Sequence, residues 1–291
     1  MSPPSPRGIV ALATCARLPD LWTDDQVLLE RLRTCGLEVE TPVWNDPAAD
    51  WSAYSLVVVR STWDYWHRRD EYIAWAHHVA AVSTLLNPAD VIEWNTHKGY
   101  LRDLAGAGVP TAATAWLDAG ASVDLAALMA DRGWSDVVVK PAVSAGAEDT
   151  LRLADVGLVA LQALADRVLT DRDVMVQPYL SAVETSGERS LLFIDRVLTH
   201  AVRRPPYLIA GRFADSAIVA AAEGERALAG QVLDAIPHDL LYARVDMVPD
   251  EDGSLVLMEV ELVEPQLFFA LSPAATQQMC AAIEARIRGS E

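Results

Sequence analysis

A mixed α/β chain of more than one domain is the class this sequence predicts, and three observations lead there. Its 291 residues exceed what one ordinary core accommodates. Through the first ninety residues short apolar runs alternate with helical patterning, as in an open α/β sheet. Farther on, strand-like runs succeed one another across short turns, Asp195-Arg196 and Pro249-Asp250-Glu251-Asp252-Gly253.

In order, residues 8–13 form a short apolar strand. Thr23, with Gln26 three residues later, has the form of a capping box opening a helix to Cys35, and Gly36 stands past its end. Residues 37–43 and 55–59 read as strands, the second an unbroken apolar run of the buried parallel type. A helix follows over 68–82, then a strand at 85–86 that stops at Asn87-Pro88. Ligands of such sheets sit beyond the carboxyl ends of the strands, where Arg60-Ser61-Thr62-Trp63-Asp64-Tyr65-Trp66 falls.

Next come a helix over 95–107 stopped by Gly108, and strands over 109–117 and 137–140 with a helix between. A strand near 150–153 and a helix over 156–169 precede strands over 174–177, 189–194 and 197–202. The last elements are a helix over 223–236 and strands over 240–248 and 255–263. All nine tryptophans precede Ser135, which fits a change of domain near there.

Just over half the chain is apolar, so a large core is available, yet no apolar run approaches a bilayer span. The Pro- and Ser-rich start lacks the apolar stretch of a signal peptide. Cys15, Cys35 and Cys280 are far apart, odd in number and at no metal-type spacing, so a reduced, cytoplasmic protein without a disulfide framework is expected. A net charge of −18 repels nucleic acid and anionic membrane. A nucleotide would need a local positive site.

Lys98 and Lys140 are the two lysines of a chain whose other fixed cations are all arginine. Lysine offers a compact, rotatable ammonium where arginine offers a planar fork. Drift in a lysine-poor chain explains either residue alone; their positions argue otherwise. Lys140 ends the run Val137-Val138-Val139 ahead of Pro141, and Lys98 opens the helical stretch after Asn95.

Carboxylates concentrate in the hairpin Arg244-Val245-Asp246-Met247 … Met258-Glu259-Val260-Glu261. Strand alternation puts Glu259 and Glu261 on one face. With a symmetric turn at 250–253, Arg244 lies across from Glu259 and Asp246 diagonal to it, while Val245, Met247, Met258 and Val260 share the buried side. Three such carboxylates repel unless a cation intervenes, and hard oxygens that leave positions for phosphate suit magnesium. The other reading is a solvated acidic face. Glu264 is expected to point elsewhere once the strand has ended.

Two lysines on separate elements, a loop after the second, an edge strand and a carboxylate hairpin, in that order, resemble the ATP-grasp superfamily over residues 95–266. The first ninety residues match its pre-grasp domain more loosely. The resemblance implies an ATP-grasp fold: an open α/β pre-grasp domain (1–92), then two α+β subdomains clamping ATP. These are a small lid with both lysines (93–175) and a large subdomain with the metal-binding hairpin (176–291). Lys98 and Lys140 would reach the phosphates, covered by the loop that holds Ser144 and Gly146. Gln177-Pro178-Tyr179-Leu180 is similar to the hinge that holds adenine; proline has no N–H, so Leu180 must supply the amide. Glu184 falls where ribose is bound. Arg203 or Arg204, on opposite faces of a strand, would serve the transferred phosphoryl group with Arg244. Asp246, Glu259 and Glu261 would bind two magnesium ions, with manganese as the alternative metal. The commonest family pattern has Asn where Glu261 stands.

Within the superfamily, Arg60-Ser61-Thr62-Trp63-Asp64, Gln177-Pro178-Tyr179, His200-Ala201-Val202 and Glu259-Val260-Glu261-Leu262-Val263-Glu264-Pro265 look like the branch of the D-cycloserine-forming ligase. That resemblance implies a ligase that activates a carboxyl or acyl group of a small amino-acid-like substrate as an acyl-phosphate. An amine or other nucleophile then attacks, ring closure within one substrate included, with a place in antibiotic biosynthesis. Arg60, Trp63, Asp64 and Tyr65 would shape the substrate pocket; alternatively Trp63 and Trp66 are interdomain core and Arg60 pairs with Asp64. A small-molecule kinase and a non-catalytic nucleotide-binding module stay open beside the ligase. Related enzymes are often homodimers.

Overall fold

In a computed structural model, which describes residues 8–205 and 216–289, the strands gather into three sheets. The first is parallel, in the order β2-β1-β3-β4: β1 Val10–Thr14, β2 Val39–Glu40, β3 Leu56–Ser61 and β4 Thr84–Leu86. β3 is buried along its whole length, which is why its sequence is apolar without alternation. Helices α1 (Thr23–Thr34) and α2 (Arg69–Val82) pack into cores on its two sides. The expected capping box is absent. The helix starts at Thr23 itself, so Trp22 is the cap, and Gln26 reaches back to the Asp20 carbonyl at 3.1 Å. The strand expected over 37–43 shrinks to β2 and one bridge from Val43 to Thr14.

Of the helix expected over 95–107 only α4 (Tyr100–Gly106) forms, and Asn95 instead ends an earlier helix, α3 (Ala89–Asn95). Lys98 sits in the break, its backbone N–H donating to the Ala142 carbonyl at 2.8 Å instead of continuing a helix.

The second sheet, antiparallel in the order β5-β8-β6-β7, holds β5 Ala115–Leu117, β6 Val137–Pro141, β7 Leu151–Arg152 and β8 Val174–Pro178. Helices α5 (Leu125–Arg132) and α6 (Leu153–Val168) close its core. β8 runs through the boundary expected at 175. Of the strand expected over 109–117 only β5 forms; Thr111 makes a lone bridge to Leu257.

The third sheet is antiparallel, in the order β11-β10-β9-β12-β13: β9 Glu188–Ile194, β10 Val197–Arg204, β11 Ala217–Val219, β12 Tyr242–Pro249 and β13 Leu255–Glu261. The short helix α7 (Ala182–Ser186) leads into it. The β9–β10 turn has positive φ at Asp195 (49°) and Arg196 (59°), the primed geometry that matches strand twist. Leu191, Phe193, Ala243, Val245 and Val260 share a core with α8 (Glu223–Asp234). On the other face Leu192, Val202 and Tyr242 pack with α9 (Pro273–Gly289) through Met279 and Ile283. That final helix is marked by Ala275, Met279, Ile283 and Ile287 at four-residue spacing, a signal missing from the element reading above.

The carboxylate hairpin has a different register from the symmetric one. Arg244 faces Glu261 and Asp246 faces Glu259, after which a bulge makes Met247 face Leu257. Met258 is the extra residue, and Leu257 takes the buried place expected for it.

Candidate active site

β13 is the edge strand of the third sheet, and the segment from α3 onward seals it. Asn95 donates from Nδ2 to the Val260 carbonyl (2.8 Å) and accepts from Leu262 N–H (2.8 Å), while the Tyr100 hydroxyl accepts from Val260 N–H (3.1 Å). Leu257 N–H donates to the Pro110 carbonyl, and Ala112 N–H to that of Leu257. Orphaned edge groups are costly, so this stitching fixes where residues 95–112 lie. Lys98, between Asn95 and Tyr100, is thereby held with Nζ 2.8 Å from Glu259 Oε1, and it also donates to the Ser144 carbonyl at 3.2 Å.

Beside that pair lies an ionic knot centred on the buried Asp246 and Arg244. Asp246, 1% exposed, accepts from Ser190 Oγ (2.6 Å), from Arg204 Nη2 (2.7 Å) and from Arg244 Nη2 (2.9 Å). Arg244 also pairs with Glu261, and Arg204 with Glu188 at 2.5 Å. Strand alternation resolves the choice between neighbouring arginines: Arg204 enters the knot, whereas Arg203 is exposed on the opposite face.

Burial opposes ionisation throughout, and the balance with neighbouring charge differs from group to group. It would raise Glu259, but Lys98 and Lys140 hold that carboxyl below its usual range. Asp246 is likewise held low by Arg204 and Arg244 against burial. Glu261 is pushed up to about 7 by burial despite Arg244, with Glu259 and Asp246 adding repulsion. Lys140 is lowered by burial, with Glu259 opposing and Lys98 adding repulsion; among the described residues it makes no ion pair within 4 Å. Lys98 is raised, because Glu259 outweighs burial.

Glu264, expected to point away, joins the cluster. Burial and Glu261 push its carboxyl up to about 8, with Lys98 and the Tyr65 hydroxyl opposing. Its own carbonyl accepts from Trp63 Nε1 at 3.0 Å. Tyr65 is buried against Tyr72 with ring centroids 4.9 Å apart, and Asp64 accepts from Trp44 Nε1 at 2.8 Å. Arg60 is not at a substrate-facing surface. It is 1% exposed, pairs with Asp25 at 2.8 Å rather than with Asp64, and donates to the Pro265 carbonyl at 2.7 Å. A strand-end arginine points into whichever core covers that end; here it is the seam between the first and third sheets.

Around β6 and β8, the loop with Ser144 and Gly146 turns through positive φ at Gly146, Ala147 and Asp149, and Asp149 is pinned by Arg167 (2.6 Å) and Arg172 (2.8 Å). Gln177 donates to Thr114 Oγ1 at 2.8 Å. Tyr179 gives its N–H to the Asp136 carbonyl, and its ring carries the Arg152 guanidinium 3.3 Å from the centroid. Arg152 in turn holds Glu184 at 2.9 Å. Leu180 N–H has no protein acceptor among the described residues.

The donor set fits a hard divalent cation: oxygens alone, crowded enough that Glu261 resists ionisation, with the ammonium of Lys98 occupying the cationic place at Glu259. Glu259 and Glu261 are half-exposed to the site, whereas both oxygens of Asp246 are taken by arginines and Ser190. Among the described residues no helix is long and apolar enough to cross a membrane.

A family model described as D-cycloserine synthetase DcsG, N-terminal domain, matches residues 10–87. Cycloserine biosynthesis protein DcsG of Streptomyces lavendulae is 31% identical over 304 residues, covering 97% of this chain and 99% of that protein. A crystal structure of D-cycloserine synthetase DcsG gives a TM-score of 0.88 over 96% of this chain and 100% of that one, at 31% identity. The ATP-grasp ligase PsnB, complexed with minimal precursor, Mg and ADP, gives 0.65 at 17% identity, over 99% of each chain. D-alanine–D-alanine ligase from Bacillus anthracis, complexed with ATP, gives 0.69 at 16% identity, over 97% of this chain and 98% of that one. The last two show the fold alone.

Proposed function

Because the chain belongs to the ATP-grasp superfamily and, within it, to the D-cycloserine synthetase DcsG family, we propose that it is an ATP- and magnesium-dependent ligase that activates the carboxyl or acyl group of a small amino-acid-like substrate as an acyl-phosphate. An amine or other nucleophile, within the same substrate or from a second one, then closes the new C–N bond. The observation that carries this reading is the meeting of Lys98, Arg204 and Arg244 with Asp246, Glu259 and Glu261 on one end of a sheet face. Burying that many charges costs stability, and a phosphate-and-metal site gives them a use.

In this proposal Lys98 and Lys140 take the nucleotide's phosphates, Lys98 leaving Glu259 to do so. Glu259 and Glu261 would hold the divalent ion, with Asp246 beside them and Arg204 and Arg244 available to the phosphoryl group. Magnesium, when bound, supplies neutralisation of charge on the transferred group. Arg204 and Arg244 stabilise the negative charge that develops on the acyl oxygen as the nucleophile adds to the acyl carbon. The second sheet, with the loop around Gly146, acts as the lid that excludes water, and Leu180 N–H receives adenine. Tyr179, Arg152 and Glu184 form the wall beside the hinge. The substrate lies against Trp63 and Glu264.

Magnesium-dependent ATP turnover against a panel of small amino acids and carboxylates, O-ureido-D-serine among them, tests the reading, with Glu259→Ala as control. ADP and free phosphate released with one substrate, and lost in the variant, support a ligase. ADP with a phosphorylated substrate and no free phosphate makes the chain a kinase. No ATP binding overturns the reading.

A further inference from the structure

Helices α1 and α9, which serve different sheets, pack together in one core, and where they touch two thiols meet. Cys35 Sγ and Cys280 Sγ are 3.0 Å apart, joining positions 245 residues apart that gave no reason in the sequence to be paired. Cys35 is the C-terminal cap of α1, half-buried, and Cys280 lies buried on α9. One turn before Cys35, Arg31 has a buried Nε without a hydrogen-bond partner among the described residues, and its charge acts on Cys280. One turn after Cys280, Glu284 Oε1 stands 4.0 Å from its sulfur.

We propose that Cys35 and Cys280 are a site of two-electron oxidation, closing to an intramolecular disulfide when a peroxide reaches them. The more exposed Cys35 attacks as thiolate: its sulfur bonds to one peroxide oxygen, the O–O bond breaks, and hydroxide leaves, so Cys35 becomes a sulfenic acid. The Cys280 sulfur then attacks that of Cys35, the S–O bond breaks, and water leaves with the proton of the Cys280 thiol. Two thiols and one hydrogen peroxide thus give one disulfide and two waters. Burial, with Cys35 and Glu284, pushes the Cys280 thiol up to about 12, so the first attack falls to Cys35. Closing the contact to the covalent length of about 2 Å requires the sulfurs to approach by about 1 Å. The resulting bridge ties the first sheet's α1 to the helix lining the third sheet, across a very long loop, where a cross-link restrains the unfolded chain most.

The full chain, reduced and then given one equivalent of hydrogen peroxide, is digested without reductant and mapped by mass. The proposal expects a linked Cys35–Cys280 peptide pair lighter by two hydrogens, with Cys15 still alkylatable. It also expects an unfolding midpoint several degrees higher, reversed by dithiothreitol. In Cys280→Ser the reaction stops at a Cys35 sulfenic acid, trapped by dimedone. A linkage between separate chains overturns the proposal, as does wild-type Cys35 passing to sulfinic acid with no linked pair. So does stoichiometric zinc in the purified protein, since the two sulfurs and Glu284 lie within 4.8 Å of one another and would then be a metal site. Neither cysteine enters the proposed ATP site, so these outcomes stand whether or not ATP is turned over.

Discussion

Lys98 Nζ and Glu259 Oε1 meet at 2.8 Å, an ammonium from a break between two helices on a carboxylate from an edge strand. Each holds the other in its charged form against the cost of burial. A site proposed to admit cation and phosphate together thus rests with its own opposite charges paired.

Glu259→Gln removes that carboxylate while keeping its size. ADP release should fall by at least about 100-fold, the scale seen when a single preorganised electrostatic contact is lost. Initial rates over a magnesium titration, with circular dichroism to confirm folding, check this.

Arg203 and Arg204 are a natural pair of controls. Arg204→Ala should lower turnover by about 100-fold, because it strips a donor from Asp246 beside the proposed phosphoryl position. Arg203→Ala, on the exposed face, should stay within about twofold of wild type. Equal losses in steady-state assays would contradict the assignment.

Arg60→Met should act on stability and not on chemistry. It leaves Asp25 buried without its guanidinium and the Pro265 carbonyl without a donor, a loss of about 3–5 kcal/mol. Chemical denaturation should show the loss, while turnover per folded molecule holds near wild type.

His200 sets an acid limit. Burial lowers it to about 4 from an ordinary 6.5, with the Leu267 carbonyl opposing. Between those values the unfolded chain takes a proton the folded one refuses, so stability is complete above 6.5 and declines as pH falls toward 4. In His200→Gln the pH dependence of the unfolding free energy should be shallower across that window; an unchanged slope would refute the assignment.

Residue types carried the chemistry: two lysines among arginines and a hairpin dense in carboxylate marked the cluster before any geometry. What escaped was set by tertiary contacts. The bulge after Asp246 follows no apolar rhythm, so Arg244 came to face Glu261 instead of Glu259. Asn95 looks like the start of a helix, yet its amide serves the Val260 carbonyl of β13 and the Leu262 N–H just past it, and the helix ends at Asn95. Arg60 stands where substrate-binding arginines stand, and only the packing of α1 against the first sheet reveals Asp25 as its partner. Glu264 returns to the cluster because the chain past β13 stays in the seam, which no local pattern announces.

β13 lies at the margin of its sheet, yet the outward hydrogen-bonding groups of its Leu257 and Val260 are already satisfied by Asn95, Tyr100, Pro110 and Ala112. Strand addition, a common way for sheets to recruit a peptide or a second copy, is therefore closed on the side of the carboxylates. Among the described residues the other margin of that sheet is β11, whose Ile218 is exposed.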